Sequence, residues 1–113
     1  MASSKFLTHH IIVDGNLGAD ITSDEIKSEN LDKLNVFVSW TGSSPVGSLI
    51  VQGSVDGSTW SDIGVTEPTI TGASGSGFVI CDSSKVCWKR MRIFWDFTSG
   101  TGTVQAWIHA QTY

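Results

Sequence analysis

The segment Val36–Trp60, VFVSWTGSSPVGSLIVQGSVDGSTW, constrains the fold more than any other stretch of the chain. Asn35–Trp40 alternates, with Val36, Val38 and Trp40 on one face and Phe37 and Ser39 on the other. That period of two is a strand, and apolar residues on both faces make it a central one, covered by a loop or a neighbour. The Gly/Ser/Pro-rich run Thr41–Gly47 is expected to turn the chain, so that Ser48–Ser54 returns as its partner. Val55-Asp56-Gly57-Ser58 supplies a second tight turn, because glycine accepts the positive φ such turns demand. Thr59–Ile63 then returns with Trp60.

The rest of the chain reads the same way. Phe6–Val13 is a strand ending at Asp14-Gly15. Between Ala19 and Leu34 the apolar positions Ile21, Ile26, Leu31 and Leu34 are not spaced three and four apart, which argues against a helix. A short strand around Ile21–Lys27 and a turn over Ser28–Lys33 fit better, with the acids as a solvated edge. Gly64–Gly77 reads as a loop, Phe78–Cys81 as a short strand and Val86–Phe97 as the longest one. Thr98–Gly102 is expected to turn the chain into a closing strand, Thr103–Thr112, where Val104, Ala106, Ile108 and Ala110 form one face. Seven or eight strands with no helix predict an all-β, antiparallel β-sandwich of jelly-roll-like type. Residues 1–113 form one domain, with 1–13 an arm or an additional strand.

Composition narrows the function classes. Hydrophobic residues make up 40% and charged residues 16%, which excludes a disordered chain. A net charge of −4 argues against general nucleic-acid binding, which needs an electropositive face. No apolar run is long enough for a membrane-spanning helix. The N-terminus, MASSKFLTHHIIVDG, lacks the pattern of a signal peptide, so synthesis in a cytosol is expected. In that compartment Cys81 and Cys87 read as reduced thiols, although a hairpin between them would let them oxidise later. Six positions apart and without a nearby histidine, they make a poor zinc site, and no metal or cofactor is expected.

Catalytic constellations are missing. No Gly-x-Ser-x-Gly elbow occurs, and His9 and His10 point to opposite faces of a strand, so they cannot chelate one ion together. An enzyme is not expected. Ser54 with Asp56-Gly57-Ser58-Thr59-Trp60 is close to the Asp-box hairpin but lacks one spacer residue between Asp and Gly. The role assigned to Asp56, Gly57 and Trp60 is therefore structural: Asp56 bonds the turn amides and Trp60 packs beneath the turn. Of the five tryptophans, Trp40, Trp60 and Trp95 read as core. Trp88 and Trp107 lie on less apolar faces, and with Phe94 they suggest an exposed patch, a subunit interface before a sugar platform. Lys85, Lys89, Arg90 and Arg92 hold four of the seven basic residues, and Arg90 and Arg92 share a face with Phe94. The acidic edge of a neighbouring subunit is a simpler partner for them than single-stranded nucleic acid. The interface candidates are thus Trp88, Arg90, Arg92, Phe94 and Trp107.

Several motifs carry a resemblance. Trp40-Thr41-Gly42, Pro45-Val46-Gly47, Val51-Gln52-Gly53-Ser54 and Asp56-Gly57-Ser58-Thr59-Trp60 follow one another in order. An Arg-rich strand (Arg90–Ile93), a Ser99–Gly102 turn and a final alternating strand complete the set. Over about residues 20–112 the chain resembles small structural proteins of tailed bacteriophages. The resemblance implies a virion protein with a small β-sandwich, a capsid decoration or cement subunit or a tail component. It also implies partners among other virion proteins and assembly as a trimer or another symmetric homo-oligomer. The Asp-Gly-Ser-Thr-Trp part is shared with discoidin-like carbohydrate-binding modules, so a glycan-binding module is the alternative. That reading needs an exposed aromatic beside an acid in a loop at one end of the sandwich, and Thr41–Gly47 contains no acid.

Overall fold

The structure, a computed structural model, describes residues 6–112. These residues are all-β, with seven antiparallel strands and no helix, in a sandwich-like fold. The strands are β1 (Phe6–Asn16), β2 (Ile21–Thr22), β3 (Ile26–Lys27), β4 (Leu31–Ser54), β5 (Ser61–Asp62), β6 (Ser74–Cys81) and β7 (Arg90–Thr112). They form one sheet. β7 and β4 run side by side through its middle; β1, β2 and β3 line the far side of β7, and β6 and β5 the far side of β4. Residues 1–5 of the expected N-terminal arm lie outside the described residues, and the remainder is β1.

The length of β4 and β7 dictates the overall shape. A straight strand of 24 residues would span roughly 75–80 Å at about 3.3 Å per residue. The longest dimension of the molecule is 49 Å, so the pair must bend. The bend falls at two compensating bulges. Ser43 lies opposite Thr101 and Val46 opposite Ser99, which leaves one extra residue on β4; Gly47 opposite Phe97 leaves one extra on β7. Each bulge flips the alternation of its strand. The buried positions of β4 accordingly pass from Leu34, Val36, Val38 and Trp40 to Leu49, Val51 and Gly53. Those of β7 pass from Met91, Ile93 and Trp95 to Val104, Ala106, Ile108 and Ala110. Both halves therefore present the same sheet face inward, onto one continuous core.

This pairing corrects two expectations. Thr41–Gly47 and Thr98–Gly102 do not reverse the chain, and Ser48–Ser54 does not pair with Asn35–Trp40; both segments pair with β7 instead. Gly, Ser and Pro suit a bulge as well as a hairpin turn, and here Ser44 (φ 48°), buried Pro45 and Gly100 (φ 84°) shape the bend. The loop expected over Gly64–Gly77 is also shorter, because Ser74–Gly77 belongs to β6. A Cβ on Gly75 would sit 2.5 Å from the Trp40 ring, so this glycine lets the ring pack flat beneath the strand. The Trp40 indole N–H donates to the Thr71 carbonyl at 3.0 Å, fixing the loop ahead of β6.

Short polar bridges hold the chain on either side of β3, between β2 and β4. The Ser23 N–H donates to the Ile93 carbonyl (3.0 Å), and the Ile93 N–H donates to Ser23 Oγ (2.8 Å). Ser28 repeats the device, its N–H on the Lys89 carbonyl and its hydroxyl on that of Trp88. Both serines are buried, and these bonds satisfy them.

Candidate interaction surface

The outer face of β6, β4, β7 and β1 carries a row of aromatic side chains across the strands. Register sets it: Phe78 lies opposite Phe37, Phe37 opposite Trp107, and Trp107 opposite His10. The His10 and Trp107 rings stack at 4.5 Å and 9°, and Phe37 tilts against Trp107 at 5.8 Å. A second row adds Ile80 and Phe6, the latter stacked on His109 at 5.3 Å. Phe78, Ile80 and Phe6 are 60%, 61% and 64% exposed. Large apolar groups gathered on one solvent-facing sheet are a mark of a contact surface.

Polar bonds fix the β1 side of this face. His10 Nε2 donates to Gln105 Oε1 at 2.9 Å, and the Asp14 N–H donates to the same oxygen at 3.0 Å. The Gln105 side-chain amide in turn donates to the Asp14 carboxylate. His109 Nδ1 lies 2.7 Å from the Thr8 hydroxyl. These bonds orient His10 and His109, so the rings are presented in one arrangement.

The residues singled out from sequence do not form one patch. Trp107 belongs to the aromatic row, whereas Arg90, Arg92 and Phe94 lie on β7 beyond the Gly100 bend. Trp88 packs partly buried against the core, its ring filling the space that a Cβ on Gly53 would occupy. Arg90 pairs with Glu25 of its own chain at 3.7 Å. Arg92 donates to Gln52 Oε1 at 2.8 Å, and its guanidinium lies 4.1 Å from the Trp60 ring centroid. Two of the four clustered cations thus have partners within the molecule. The residues that sequence reasoning passed over are Phe6, His10, Phe37, Phe78 and Ile80. The signal was there in Phe37, an apolar residue on the second face of a central strand.

Side-chain hydrogen bonds close the Asp56 turn. Asp56 Oδ1 accepts the Ser58 and Thr59 N–H groups, each at 2.8 Å, and the Ser54 hydroxyl at 2.9 Å. Gly57 takes φ 81°, as the turn requires. The Thr59 amide first, then the Ser58 amide and the Ser54 hydroxyl, hold the Asp56 carboxyl down at about 2. Trp60 is half-buried, with the Arg92 guanidinium over its ring. Both cysteines are free, Cys81 buried and Cys87 exposed. Burial first, with Asp82 adding to it, pushes the Cys81 thiol up to about 11.

No protein-family model matches the sequence, and no curated protein matches it either. Solved structures do match its fold. The SPBc2 prophage-derived protein YomS is similar over 96% of both chains, with a TM-score of 0.64 and 11% identity. A chain in the structure of infectious bursal disease virus, Gt strain, gives a TM-score of 0.64 at 8% identity, and one from the Gx strain gives 0.60 at 10%. This chain spans about a third of those viral chains, 32% in each case. At such identities the likeness is one of fold: the chain shares its β architecture with a prophage-derived protein and with part of a chain from a virus.

Proposed function

We propose that this chain is a bacteriophage virion structural protein, a capsid decoration or cement-type subunit that works through protein–protein contacts. The observation that carries this reading is the outer row His10–Trp107–Phe37–Phe78. Aromatic residues are enriched at protein interfaces because their large apolar area orders at low entropic cost. The tailed-phage motifs and the fold shared with a prophage-derived protein support the same reading. Its partners are other virion proteins and further copies of itself, and its place is the virion.

Quantitative mass spectrometry of purified particles tests this. A virion subunit is present at a copy number that matches a particle symmetry. Absence from particles, with the chain recovered only as a free monomer that binds a glycan array, would put the carbohydrate-binding module in its place.

A further inference from the structure

Among the described residues, the four-strand half of the sheet, β6–β4–β7–β1, ends in two edges with no further strand beside them. Phe6–His10 and Ser74–Cys81 make no backbone hydrogen bond among the described residues beyond their ladders to β7 and β4. Cover on β1 begins only at Ile11, whose carbonyl accepts the Asp24 N–H at 3.1 Å. Soluble proteins guard such edges with Lys, Pro, inward charges or bulges. Neither segment carries such a guard within itself: no Asp, Glu, Lys, Arg or Pro occurs in 6–13 or 74–81, and the β1 bulges lie past His10. Instead Phe6, Leu7, Phe78 and Ile80 stand exposed along them.

We propose that copies of this chain join edge to edge, β6 of one against the Phe6–His10 part of β1 in the next. The proposal rests on the reading of the chain as an assembly subunit. Direction favours it: β1 is antiparallel to β7, β7 to β4 and β4 to β6, so β1 and β6 run in opposite senses. A second copy set alongside therefore presents an antiparallel edge, the stronger of the two pairings. With no formal charge on either segment, no like-charge pair opposes the contact. The aromatic row then continues from Phe78 of one subunit to β1 of its neighbour. Each copy uses its two edges on two different neighbours, a head-to-tail contact that closes into a ring when the rotation allows.

Sedimentation velocity on the whole chain, up to about 100 µM, tests the pairing. The wild-type chain is expected to self-associate, and Ile80→Lys or Phe6→Lys to weaken association by about tenfold or more. Mixed together, the two variants are expected to give a heterodimer that grows no further, because each keeps the edge the other has lost. Phe78→Lys and Thr8→Lys replace either variant if circular dichroism shows it unfolded. A monomeric wild-type chain, edge variants that associate unchanged, or a mixture without heterodimer would each overturn edge pairing. If the chain is nonetheless found in particles, the edge pairing alone falls and the virion reading stands.

Discussion

Gly100 meets the Ser44 carbonyl at the fold of the long strand pair: a Cβ on Gly100 would lie 2.2 Å from that oxygen. Gly100 also takes φ 84°, which L-residues rarely adopt. Gly100→Ala is therefore expected to lower stability by about 2–4 kcal/mol, the sum of backbone strain and a contact that forces the bend open. Urea denaturation checks this, with Gly72→Ala as the comparison. Gly72 also has positive φ (76°) but nothing within 4 Å, so its loss isolates the strain alone.

Trp95 is fully buried, and its indole N–H donates to the Leu17 carbonyl at 3.1 Å. Gly47 leaves room for the ring just inside the bend. Trp95→Phe removes the donor and part of the volume, and should cost about 2–4 kcal/mol. Thermal unfolding measures the loss, and amide exchange should rise first around Leu17, whose N–H bonds Gly102.

The Asp56 carboxyl is held at about 2 against an ordinary 3.8. A depressed folded-state pKa adds stability that is complete above the unfolded value and is lost as pH falls through the folded one. The turn should thus hold above pH 4 and loosen between about 4 and 2. Asp56→Asn is expected to remove that acid dependence. Amide exchange at Ser58 and Thr59, whose N–H groups Asp56 accepts, reports it directly.

Thiol labelling separates the cysteines. Cys87 is exposed and should react with a maleimide in the native protein, whereas buried Cys81, its thiol raised to about 11, should react only on unfolding. Mass spectrometry of the native and denatured protein counts the labels. Labelling of Cys81 at the native rate of Cys87 would mean that the end of β6 opens readily.

Alternation made the core legible in advance. Leu34–Trp40, Met91–Trp95 and Val104–Ala110 each show a period of two that burial alone imposes. Turn chemistry was ambiguous, because the residues that reverse a chain also fit a bulge; only the partner strand decides, and alternation does not name partners. The candidate surface was half legible for the same reason. Trp107 and Phe37 are visible as apolar residues on second faces, but register alone sets them beside each other, and beside Phe78 and His10. Alternation sets Arg90 on the strand face opposite buried Met91; its bond to Glu25 follows from β3 pairing with β7, which no local pattern encodes.

Binding of the purified chain to particles that lack it tests the central claim, that the outer aromatic face makes the contacts. Phe37 lies mid-row and partly exposed, so Phe37→Asp places a charge in the contact with little change to the core. Circular dichroism confirms that the variant is folded. The account predicts that Phe37→Asp binds particles about tenfold or more weakly, while Arg90→Gln, which breaks only a surface ion pair, binds as the wild type does. Equal binding by Phe37→Asp and the wild-type chain would contradict it.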